Sequence, residues 1–174
     1  DDVSGNMVQV EIFHFNDINT TTDIIAMKAV NFDGTGKDQL VVAFDNSDIK
    51  KYEEISGNMT PQLHGILHQA GTLVTVLESG NFNNDNKEEL ILVYDNSIVQ
   101  RYKEDPSASL QTIENSAPQA IKVTTGDYNN DDKDELIISF DNGKIFRYQE
   151  NTAGILTTSL SELIYDGQLT QALA

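Results

Sequence analysis

The sequence predicts an all-β fold on three observations. A unit of roughly fifty residues recurs three times, each unit carries one short uninterrupted apolar run, and each run closes on the same Asp-Asn pair. Laid under one another, the copies read "NFDGTGKDQLVVAFDNSDIKKYEE" from Asn31, "NFNNDNKEELILVYDNSIVQRYKED" from Asn81 and "DYNNDDKDELIISFDNGKIFRYQEN" from Asp127. The leucine after each polar loop stands at 40, 90 and 136, so successive copies are offset by 50 and 46 residues. A tyrosine follows each Asp-Asn pair at a constant distance, at Tyr52, Tyr102 and Tyr148.

Each element follows in order. A first strand precedes the polar loop, as "IIAMKAV", "LVTVLES" and "AIKVTT". After the loop come "LVVAF", "LILVY" and "LIISF", which are too short for a helix and too uniformly apolar for a sheet with one wet face. "DNS" or "DNG" then makes a tight hairpin turn, with Asn142-Gly143 the strongest such signal. Third strands read "DIKKYEE", "IVQRYKE" and "KIFRYQE"; fourth strands read "QLHGILH", "SLQTIEN" and "SLSELIY". No segment holds a capped pattern of helical period.

Sheets buried on both faces by their neighbours, at this repeat length, predict a β-propeller of four-stranded blades. Three blades are expected at 23–70, 71–117 and 118–166, with the outer strand of a preceding blade in 1–22 and the first strand of a next blade in 167–174. "SGNM" at 4–7 returns at 56–59, and "DGQLTQALA" at the end aligns with "AGTLVTVLE" at 70–78. A ring normally needs four to eight blades. The remaining blades of a longer chain, or self-association, are therefore expected to complete it.

The 174 residues carry a formal charge of −17. That repels nucleic acid and anionic membrane and favours cations, basic surfaces or neutral ligands. With no cysteine, disulfides and thiolate metal sites are excluded. No apolar run is long enough to span a membrane.

The crowded loops ask for a cation. Numbered from the first polar residue, odd positions give Asp127, Asn129, Asp131, Lys133 and Glu135 in the third copy. They give Asn81, Asn83, Asp85, Lys87 and Glu89 in the second, and Asn31, Asp33, Thr35, Lys37 and Gln39 in the first. Side-chain oxygens at positions 1, 3, 5 and 9, with the backbone carbonyl of the lysine at 7, suit Ca²⁺, which takes six to eight oxygens. An EF-hand is excluded, because its bidentate glutamate at position 12 is here Val42, Leu92 or Ile138. Side-chain charge ranks the third loop first, the second next and the first as weakest.

These loop–strand units resemble the calcium-binding FG-GAP and VCBS repeats of integrin-α-type propellers. The resemblance departs at Asn86 and Asp132, where glycine is usual and Gly36 keeps it; Asn and Asp also tolerate left-handed backbone. It implies a non-enzymatic, calcium-stabilised module for adhesion or protein interaction, placed outside the cell or in the periplasm. Two other expectations stand beside it: a propeller lectin binding glycans between blades, and an accessory propeller of an extracellular carbohydrate- or lipid-active enzyme. The recurring pairs Lys51-Tyr52, Arg101-Tyr102 and Arg147-Tyr148 are candidate glycan-stacking positions for the lectin, or else packing residues between blades. No phosphate loop or nucleophile–base grouping points to catalysis.

Overall fold

The computed structural model describes residues 22–55, 58–62, 66, 71–104, 108–116 and 118–166. The expected flanking strands in 1–22 and 167–174 lie outside these residues, apart from Thr22. Among the described residues there are twelve strands in three four-stranded antiparallel sheets, and no helix.

Sheet one contains β1 (Ile24–Val30), β2 (Gln39–Phe44), β3 (Ile49–Ile55) and β4 (Asn58–Pro61). Sheet two contains β5 (Val74–Gly80), β6 (Glu89–Tyr94), β7 (Val99–Lys103) and β8 (Ser109–Glu114). Sheet three contains β9 (Ala120–Gly126), β10 (Glu135–Phe140), β11 (Lys144–Glu150) and β12 (Leu156–Asp166). Spatial order follows chain order in every sheet, so each is a meander.

Most of the expected fourth strand "QLHGILH" lies outside the described residues. β4 is the shorter stretch before it, pairing Tyr52 with Pro61 and Ile55 with Asn58.

The turns between second and third strands share one geometry. Ser47 and Gly143 donate their N–H to Phe44 and Phe140 carbonyls at 3.1 and 3.0 Å, with Asp-Asn as the two central residues. The next residue takes positive φ: +70° at Ser47, +72° at Ser97 and +81° at Gly143. This is the three-residue hairpin with a bulge, so the glycine of Asn142-Gly143 follows the turn's centre. A second irregularity also recurs: pairing slips once between first and second strands, beside Ile25, Thr75 and Ile121.

The cores sit between the sheets. All six residues of β6 are buried. Leu90, Leu92 and Tyr94 pack with Val41, Ala43 and Phe32 of sheet one, while Ile91 and Val93 pack with Leu136, Ile138 and Phe140 of sheet three. Burying one such leucine contributes about 1.5–3 kcal/mol. This is the physical cause of the uninterrupted apolar run. The first strands stand side by side, β5 against β1 and β9 against β5, which brings the three polar loops to one end of the molecule.

Candidate functional site

The loops joining first to second strands span 31–38, 81–88 and 127–134, and they share one backbone. Position four is left-handed in each, at Gly34 (φ +72°), Asn84 (+60°) and Asn130 (+61°). Position six is too, at Gly36 (+82°), Asn86 (+64°) and Asp132 (+64°). Asn and Asp at the usual glycine place are therefore accommodated. Two left-handed residues curl the chain so that alternate side chains face the loop's own backbone.

In the third loop the Asp131 N–H donates to Asp127 Oδ1 at 3.1 Å and to Asn129 Oδ1 at 2.9 Å. Asp132 N–H donates to Asp127 Oδ2 at 3.1 Å, and Lys133 N–H to Asp131 Oδ1 at 3.0 Å. The second loop repeats this with Asp85 N–H on Asn81 and Asn83, and Lys87 N–H on Asp85. In the first loop Thr35 donates its N–H and hydroxyl to Asp33 Oδ1, at 2.9 and 2.8 Å. Those bonds, the backbone one foremost, hold the Asp33 carboxyl below its usual pKa of 3.8. Asn31 Oδ1 is left buried without a hydrogen-bond partner.

Position nine is a clamp in all three copies. Gln39, Glu89 and Glu135 are buried, and each accepts the N–H of the position-two residue: Phe32 at 3.2 Å, Phe82 at 3.2 Å and Tyr128 at 2.8 Å. Their other contacts differ. Glu89 Oε1 lies 2.8 Å from the Arg101 guanidinium and 3.3 Å from Lys103 Nζ. Glu135 Oε1 accepts the Gln149 amide at 2.7 Å. The charge of Glu89 is thus committed to two cations, while Glu135 meets a neutral donor.

Position eight joins neighbouring sheets, and local sequence patterns did not single it out. Glu88 accepts the N–H of Asn31 at 2.9 Å and returns its own N–H to the Asn31 carbonyl at 2.9 Å. Asp134 does the same with Asn81, at 2.7 and 2.9 Å. The signal was present: position eight is acidic in every copy, as Asp38, Glu88 and Asp134.

The tyrosines pack. Tyr52, Tyr102 and Tyr148 are all buried, so their rings offer no open face for a sugar to stack on. Burial, then the Glu104 charge, pushes the Tyr102 hydroxyl up to about 12. Burial raises Tyr148 further, and its hydroxyl donates to Glu114 at 2.5 Å. Arg101 is fully buried and Arg147 half-buried.

Among the described residues no group of three or more His, Asp or Glu side chains could hold a metal ion. A cation here would draw on Asn amides and backbone carbonyls as well. The third loop fits that need, with hard oxygens from Asp127, Asn129 and Asp131 on one curled backbone. No helix among the described residues is long and apolar enough to cross a membrane. The chain matches no known family model and no curated protein sequence.

Proposed function

We propose that the chain is part of a β-propeller whose Asx-rich loops bind Ca²⁺, and that the module serves adhesion or protein interaction rather than catalysis. One observation carries the reading: three loops of different sequence share a left-handed residue at positions four and six, with side-chain oxygens turned inward at alternate positions. A backbone held constant through changing residues, in the order that a hard cation uses, supports a common ligand. The side-by-side first strands support successive blades of one ring, completed by further blades or by self-association.

In this reading the principal site is the third loop, held by Asp127, Asn129, Asp131, Glu135 and the Lys133 carbonyl. The second loop offers Asn81, Asn83 and Asp85, whose oxygens meet no cation of the chain's own. The first keeps Asn31, Asp33 and Thr35. Sites of this kind in extracellular modules have dissociation constants near ~0.1–1 mM. At ~1 mM calcium and ~0.1 mM dissociation constant, one site contributes about 1.4 kcal/mol.

Calorimetric titration tests it. Wild-type protein is expected to release or absorb calcium heat and to lose melting temperature on chelation. Asp131→Ala should remove most of that response, and Thr35→Ala little of it. Absence of calcium heat, or equal loss from both substitutions, overturns the metal assignment. Light scattering at micromolar concentration tests completion of the ring, and a stable monomer counts against self-association.

A further inference from the structure

The two clefts between sheets are built from equivalent residues, and they are filled differently. Between sheets two and three, the Arg101 guanidinium sits 5.4 Å from the Phe82 ring centroid. It bonds Glu89 at 2.8 Å, bonds Glu150, and donates to the Gly154 carbonyl at 3.3 Å. Arg101 is wholly buried there.

One repeat earlier the same positions hold Lys51 for Arg101, Phe32 for Phe82, Gln39 for Glu89 and Glu104 for Glu150. These four residues, with Asp33, Glu53 and Lys87, line a cavity of about 330 Å³. The Lys51 ammonium lies 5.4 Å from the Phe32 centroid and pairs with Glu104 Oε1. Its compact head reaches no further, and Glu104 Oε2 remains buried with no hydrogen-bond partner. An unpaired buried carboxylate oxygen is costly, and a planar donor fork would satisfy it.

Charge runs the same way. In the first cleft Asp33, Glu53 and Glu104 outnumber Lys51 and Lys87 by one. At the equivalent positions of the second, Arg101, Lys103 and Lys133 outnumber Glu89 and Glu150 by one. The first cleft is thus short of two positive charges relative to its filled counterpart.

We propose that the cleft between sheets one and two binds a guanidinium cation from outside the chain, paired with the Glu104 carboxylate beside the Lys51 ammonium and facing Glu53 and Asp33, in the cavity whose counterpart Arg101 fills. The cation is either a small guanidinium compound or an arginine side chain presented by a partner protein.

The test is an NMR titration of the full chain in EDTA with three probes: L-arginine amide, acetyl-Gly-Arg-Gly-amide and its lysine counterpart. Saturable shifts of cleft residues are expected with the arginine probes, and weaker binding with lysine, whose point charge lacks the fork. Binding of arginine amide equal to the peptide identifies a small guanidinium as sufficient; binding of the peptide alone identifies a partner side chain. Glu104→Gln should weaken binding about tenfold or more by removing a charge-assisted pair. Lys51→Arg should abolish it and raise the Tm, because the chain's own guanidinium then occupies the cleft. Absence of saturable binding by the wild type overturns the proposal, as does undiminished affinity in both variants.

Discussion

Sheets two and three carry the same loop backbone, the same glutamate at its ninth position and the same Arg-Tyr pair, yet they use them differently. Glu89 is locked to Arg101 and Lys103 in a buried ion-pair network. Glu135 meets the amide of Gln149, which stands where sheet two has Lys103. Counted by sequence, the second loop offers two carboxylates to a cation. Counted after pairing it offers one, from Asp85, against three in the third loop. A ligand set is defined by what its oxygens already hold.

The largest expected effect breaks that network. Arg101→Met should cost about 3–5 kcal/mol in urea denaturation, since it leaves two buried carboxylates without their shared cation. Arg147→Met, at a half-buried position, should cost markedly less. Equal losses would show that burial of Arg101 is not what separates the two sheets.

Next come the glycines that end β5 and β9. A Cβ on Gly80 would stand 3.1 Å from both Asp134 Oδ2 and the Phe82 ring, whereas one on Gly126 would meet only the Tyr128 ring, at 3.5 Å. Gly80→Ala should therefore cost about 1–3 kcal/mol. Gly126→Ala should be neutral, or stabilise by about 0.5 kcal/mol through the unfolded chain. Thermal melts of both variants sharpen the contrast, and a harmless Gly80→Ala would contradict the tight approach of Asp134.

Calcium gives a smaller difference, about 1.4 kcal/mol at most per site. Asp85→Ala should reduce the calcium-dependent rise in Tm by less than Asp131→Ala does. The reverse order would mean that Glu89 stays available despite its two cations.

The smallest effect needs alkali. Tyr102 has an ordinary value of 10.0 raised to about 12, and Tyr148 is raised further by burial and Glu114. Both are held protonated in the fold, so their contribution is complete below pH 10 and is lost as pH rises through the folded values. Stability should fall between pH 10 and about 12, where Tyr102 is ionised in the unfolded chain and still protonated in the fold. Tyr102→Phe should flatten that window alone, whereas Tyr148→Phe should flatten it and the fall above it, because both unfolded hydroxyls ionise from pH 10. Chemical denaturation across the range checks the order.

Much of this was legible in the residues. β6 and its equivalents showed themselves as unbroken apolar runs because both faces are buried, and Asn86 and Asp132 betrayed left-handed backbone because few other residues tolerate it. The pairing of Asn58–Pro61 with β3 was not legible, because four residues reading "NMTP" carry neither an apolar run nor a clear alternation. The roles of Glu88, Asp134 and Arg101 were hidden for a different reason. Each depends on a partner about fifty residues away in another sheet, and nothing local distinguishes a clamp from a solvated charge.

The exchange between Glu88 and Asn31, repeated by Asp134 and Asn81, also gives the row of sheets a direction. At both junctions the earlier sheet presents backbone and the later one presents the acid, so the two joints run the same way along the row. The joints differ in fit as well: the longer Glu88 meets the backbone after Val30, and the shorter Asp134 meets the backbone after Gly80, where a Cβ would stand 3.1 Å from its carboxylate. A unit with a side chain at that place would push Asp134 off the Asn81 backbone by a few tenths of an ångström, so the order of the sheets is favoured by two residues outside the apolar core.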